Sequence, residues 1–173
     1  MNLRNTILEV HSKAQANKIV RWIGDDKRRF AELVHLFLTD EYRVVQRCAW
    51  PLSDVAIKHP ELAKPYLGKL VKQLSDKTRH PAVARNVLRL LQFIEIPEKY
   101  RGEVVNACFE FLIKSEYPIA FKAHGMTVLL SITKQEPELK RELKVVIEEM
   151  MKEGSPAIRA RGKHVLKELS RLH

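Results

Sequence analysis

The sequence predicts an all-α fold, a solenoid of about four helical hairpins behind a short N-terminal helical cap, and two markers of one shared period carry that prediction. The dipeptide Pro-Glu recurs at Pro60-Glu61, Pro97-Glu98 and Pro137-Glu138. Proline suits the start of a helix, where its missing N–H has no intrahelical partner to lose. A cation recurs in the other half of each unit, at Arg47, Arg85, Lys122 and Arg159, again at intervals of about 37 residues. Glycine is scarce, six residues in 173, which disfavours a sheet with many tight turns.

The elements follow in order. Residues 1–26 form the expected cap, with one or two helices over 2–23 ending at Gly24. Asp25 and Asp26 then bring negative charge to the positive end of the next helix. The first helix of each hairpin (A helix) is predicted over 27–38, 60–75, 97–114 and 136–152, and the second (B helix) over 41–58, 80–94, 117–134 and 155–171. Apolar residues recur at helical spacing throughout, as in Leu67, Leu70, Val71 and Leu74, and strand-like alternation is absent. Side chains able to cap helices mark the breaks at Thr39-Asp40, Ser75-Asp76, Ser115 and Gly154-Ser155. Pro51 and Pro65 fall inside predicted helices, where each should kink the chain by removing a backbone hydrogen bond. A lone hairpin cannot bury its apolar stripe, so neighbours must stack and the ends need polar covers. The basic C-terminal stretch from Ile158 to His173 suits such a cover, giving one domain over 1–173 with four repeats from 27.

Within residues 64–94, Pro65 lies in a leucine-rich A helix, Asp76 in the turn, and Val83 and Arg85 open the B helix. This pattern resembles the HEAT repeat, and Asp40, Val45 and Arg47 repeat it, whereas Ser115 and Ser155 stand where the later turns would carry Asp. The resemblance covers residues 27–171 and implies a right-handed, armadillo-like α-solenoid. It specifies architecture and no activity. The chain also resembles small bacterial HEAT-repeat proteins that carry the name adenylosuccinate lyase. That superfamily has a longer chain and a Gly-Ser-Ser-x-Met-Pro-x-Lys-x-Asn loop, of which only Gly154-Ser155-Pro156 is echoed. The residues therefore do not support the lyase name.

Charge and composition narrow the function classes. Apolar residues make up 45% and charged residues 30%, as in an ordinary globular protein. No secretory leader and no membrane span is visible, and a cytoplasmic location without membrane contact is the expectation. Net charge is +10; residues 1–29 hold seven Lys/Arg against three Asp/Glu, and 155–173 hold five against one, so both ends are basic. This raises the prospect of a polyanion partner. Cys48 and Cys108 sit among apolar residues and are expected in the core, as in a reducing compartment. No nucleotide-binding, zinc-protease or serine-hydrolase motif occurs, and no cofactor or metal is expected. His35 is expected to be satisfied or partly buried and Trp22 to be a core or cap residue.

The candidate binding face is the stripe of the B helices: Arg43, Arg47, Trp50, Arg85, Arg89, Lys122 and Arg159. Two readings stay open. In HEAT proteins the turn Asp and the B-helix Arg bridge neighbouring repeats, and Asp40 and Asp76 are available for Arg47 and Arg85. Alternatively the cations form a basic groove for DNA or another polyanion, with Trp50 stacking on a base. Trp50 and Asp54, four residues apart, permit comparison with HEAT-like alkylpurine DNA glycosylases, for which this chain is short. The main expectation is a non-catalytic scaffold that binds a protein through this face, with Tyr42, Met126 and Trp50 as anchors. The sequence leaves the partner and the oligomeric state open.

Overall fold

A computed structural model describes residues 1–172, and His173, the last residue of the expected C-terminal cover, lies outside the described residues. The described residues are helical with no strand. They divide into two compact units, Met1–Ile94 and Glu95–His173 by their boundaries.

The first unit begins with α1 (Leu3–Glu9) and α2 (Lys13–Ile23). Asn2 caps α1 by accepting from the N–H of Asn5, and Ser12 caps α2 by accepting from that of Gln15. Gly24 ends α2 at φ +53°, a left-handed conformation that a side chain would strain, and its N–H donates to the carbonyl of Val20. Asp26 then caps α3 (Lys27–Thr39), its carboxylate accepting from the N–H groups of Arg28 and Arg29. Those bonds, that of Arg29 first, hold the Asp26 carboxyl below its ordinary range.

Helix α4 (Tyr42–Lys58) is the hub of the unit, packed against α1, α2, α3 and α7. It runs through Pro51 without a break, although Pro51 has no N–H to offer the carbonyl of Arg47. Pro65 acts more strongly: the predicted helix over 60–75 becomes α5 (Pro60–Ala63), a 3₁₀ turn (Lys64–Tyr66) and α6 (Leu67–Lys72). Helix α7 (Ala82–Leu91) completes the unit. Phe30, Leu33, Phe37, Val44, Leu52 and Val87 form its dry centre, each at most 1% exposed.

The N-terminal pair is itself a stacked hairpin. Helix α1 lies against the A helix α3, and α2 lies against the B helix α4. The segment expected to be a cap thus packs as a short repeat.

The second unit contains α8 (Glu98–Ile113), α9 (Ile119–Thr133), α10 (Leu139–Glu153) and α11 (Pro156–Ser170). Here too A meets A (α8 with α10) and B meets B (α9 with α11). Two glycines permit close approach. A Cβ on Gly125 would sit 2.8 Å from Leu112 Cδ1 of α8, and one on Gly162 would sit 2.6 Å from Met151 Sδ of α10. Ser155 caps α11 by accepting from the N–H of Ile158. Ser115 caps nothing: α9 follows Pro118 and has no side-chain cap.

Candidate functional site

Helical geometry sorts each B helix into a buried and an outward side. On α4 the outward stripe is Arg43, Arg47, Trp50, Asp54 and Ile57, and on α7 it is Arg85, Arg89 and Phe93 just beyond the helix end. The two stripes adjoin, because the Arg89 guanidinium lies 5.9 Å from the centre of the Trp50 ring. A cation over an aromatic face at this distance contributes about 0.5–1 kcal/mol at an exposed site. Trp50 is 38% exposed, and Ile57 further along α4 and Phe93 just beyond α7 are more open still. The side chains of Arg43 and Arg85 make no hydrogen bond or ion pair among the described residues. The first unit therefore presents an aromatic and aliphatic strip edged by arginines.

The repeated cations behave differently from one another. Arg47 Nη1 donates to the carbonyls of Leu8 (2.9 Å) and Ile7 (3.3 Å), which end α1. Lys122 Nζ donates to the carbonyls of Leu112 (2.9 Å) and Lys114 (3.0 Å) at the end of α8. Arg159 Nε donates to the carbonyl of Gly154 (2.7 Å), just past α10. Each satisfies carbonyls that a helix end leaves without partners and sits at the negative end of its dipole. Arg85 caps nothing; within its unit Arg79, on the turn before α7, donates to the carbonyl of Leu38 at the end of α3.

The expected pairing with turn aspartates does not occur. Asp40 is taken by Arg4 of α1, at 2.7 and 3.0 Å, and Asp76 accepts from the N–H (2.9 Å) and hydroxyl (2.6 Å) of Thr78. The Arg4 guanidinium, and after it the N–H of Glu41, hold the Asp40 carboxyl below its ordinary range against the opposing effect of burial. Arg47 stands too far into α4 to share that turn, and reaches the end of α1 instead.

One further expectation is corrected. Met126 is fully buried, one position off the outward side of α9 that carries Ala123 and Thr127, and anchors no partner. His35 is exposed on α3, its ring 3.4 Å from the Thr39 hydroxyl. Trp22 is half-buried under Arg29, whose guanidinium stands 4.7 Å from its ring centre. Tyr42 is exposed as expected, with its ring 4.1 Å from that of His80. Cys48 and Cys108 are both free and fully buried, and burial pushes each thiol far up from its ordinary range. Among the described residues no group of three or more His, Cys, Asp or Glu stands together as metal ligands, and no helix is long and apolar enough to cross a membrane.

A second feature has no local sign in the sequence. In the second unit a groove of about 870 Å³ opens beside the α8–α9 turn, between it and the C-terminal half of α10. Leu112, Val146, Met150 and Ile158 line its interior, while Ile113, Ile119 and Val145 line it with 65%, 48% and 58% of their surface exposed. Lys122 lines it as well. The signal lies in residues more than 25 positions apart that only the stacking of hairpins brings together.

No curated protein matches the chain. A family model described as HEAT repeat domain matches residues 3–169, and so takes in the N-terminal hairpin as well as the four later ones. With its stacked A and B helices and this match over nearly its whole length, the chain belongs to the HEAT repeat family.

Proposed function

We propose that the chain is a non-catalytic interaction module that docks a protein partner on the outward stripe of α4 and α7, with Trp50 at the centre. HEAT repeats generally serve as protein-interaction scaffolds. The observation that carries the specific reading is the half-open Trp50 ring, backed by Arg89, with Ile57 and Phe93 exposed further along the same two stripes. Tryptophan and arginine are the residues enriched at the energetic centres of protein interfaces. The basic ladder contributes less than its spacing promised, since Arg47, Lys122 and Arg159 are engaged with helix-end carbonyls.

The test is photo-crosslinking in cells from a reactive residue placed at Phe93, with mass spectrometry of the adducts. A defined protein adduct that vanishes in Trp50→Ala, while the melting curve is unchanged, is the expected result. Absence of any such adduct sinks the reading. A titration with short duplex and single-stranded DNA at two salt concentrations runs beside it. Tight binding that falls steeply with salt and is lost in Arg85→Glu would replace the protein partner by a polyanion.

A further inference from the structure

The groove belongs to the second unit, as the α4–α7 stripe belongs to the first, and its chemistry follows from its side chains. Scattered apolar residues are normal on a protein surface. Ile113, Ile119 and Val145 are not scattered: all three line one hollow whose interior is also apolar. Concave apolar surface with a few polar groups at defined places is the usual form of a binding site.

Lys122 supplies the most informative polar group. An ammonium has three N–H donors and no acceptor. Two of them go to the carbonyls of Leu112 and Lys114, which leaves one, and no carboxylate meets this cation. The other groove-lining cation, Lys152, is already paired with Glu149 at 2.5 Å. Burial alone lowers the affinity of Lys122 for its proton, as expected for a partly desolvated ammonium without a counter-ion. Across the groove, Glu153 on α10 has no ion-pair partner among the described residues. The groove is thus lined by a positive charge that no carboxylate meets and by a negative charge without an ion-pair partner, with aliphatic side chains around them.

We propose that this groove is a second docking site, and that its occupant is a short partner segment whose apolar side chains are flanked by an acidic residue on the Lys122 side. The segment carries a neutral or basic residue on the Glu153 side, which fixes its direction in the groove. The proposal rests on the reading of the chain as a protein-interaction module, and not on the α4–α7 stripe.

The experiment pans a library of random displayed peptides against the full chain, then measures enriched peptides by fluorescence anisotropy with wild type, Ile119→Glu, Val145→Glu and Trp50→Ala. Both glutamate substitutions fall on exposed positions, so the core is untouched, and circular dichroism melting checks this. Enriched peptides should combine aliphatic residues with Asp or Glu. Their affinity should fall about tenfold or more in each glutamate variant, a loss typical of a blocked apolar anchor, and should be unchanged in Trp50→Ala. Changing the peptide acid to its amide should weaken binding to wild type, and should have no further effect on Lys122→Gln.

No enrichment, enrichment of peptides without an acid, or indifference to both glutamate variants overturns the proposal. Peptides lost only in Trp50→Ala would sustain the α4–α7 reading while removing this one. Self-association in sedimentation velocity that disappears in Val145→Glu would assign the groove to a second copy, and preferential filling by decanoate would assign it to a small amphiphile; either result also overturns it.

Discussion

On the outward side of the first unit's B helices stand Arg43, Trp50, Asp54, Ile57, Arg85 and Arg89, large side chains with charge and π surface. On α9 of the second unit the outward positions are Ala123, Thr127 and Ser131, and Thr127 accepts a hydrogen bond from Arg161 of α11 at 2.8 Å. The second unit instead exposes its bulk at the α8–α9 corner, where Ile113, Ile119 and Val145 border the groove. Both units use the same A-on-A and B-on-B stacking. What differs is which side chains remain after the stacking is satisfied, and recognition in a repeat protein resides in that remainder.

The comparison can be broken at four points. Phe37→Ala in the first core and Leu143→Ala in the second each remove a fully buried side chain. Urea denaturation should show losses of about 3–5 kcal/mol for the phenylalanine and about 2–5 kcal/mol for the leucine. A loss under about 1 kcal/mol in either would mean that the neighbours of that side chain are not tightly packed.

Next is the unequal use of the marker cations. Lys122→Met leaves two carbonyls at the end of α8 without their donor and should cost about 1–2 kcal/mol. Arg85→Met, which breaks no side-chain hydrogen bond or ion pair, should stay within about 0.5 kcal/mol of wild type. Equal losses would restore a common role for the four positions.

A smaller effect of opposite sign is expected at Asn86 of α7, whose side-chain Nδ2 is buried without a hydrogen-bond partner. An unpaired buried donor is costly, so Asn86→Leu should be neutral or stabilising by up to about 1 kcal/mol in the same assay. Clear destabilisation would reveal a partner for that amide.

The smallest effect is confined by pH. The folded Asp40 carboxyl is held below its unfolded value by Arg4, so its contribution is present above about pH 4, the ordinary aspartate range, and is lost as pH falls through the folded value. Asp40→Asn should therefore melt lower than wild type at neutral pH and converge with it in acid. A constant gap across that range would remove the ion pair from the account.

Helices of the main repeats were legible because apolar spacing and turn residues agree locally: α3, α4, α8, α9 and α11 lie within two residues of their predicted bounds. The split at Pro65 was legible in kind, from the proline alone. The N-terminal hairpin was less so, since α1 has only seven residues and no Pro-Glu precedes it. Met126 misled because a single residue of rotation on α9 separates the outward side from the core. The period of the cations was real, but what each one reaches depends on which helix end lies beside it: that of α1 at Glu9 for Arg47, that of α8 at Ile113 for Lys122. Sequence spacing records the first fact and not the second. The groove has no local signature, because its two walls are joined only by stacking.

Where Lys122 grips the final carbonyls of α8, the corner is clamped from the following helix, and Tyr117 of the connecting loop adds a hydrogen bond to Glu110 and a ring contact with Phe111. Ser115 and Glu116, both exposed, are relieved of holding that bend. Such corners can accept exchanged or inserted residues with little disturbance to the interior, so a lineage could graft new specificity onto the rim of the groove while its helices stay as they are.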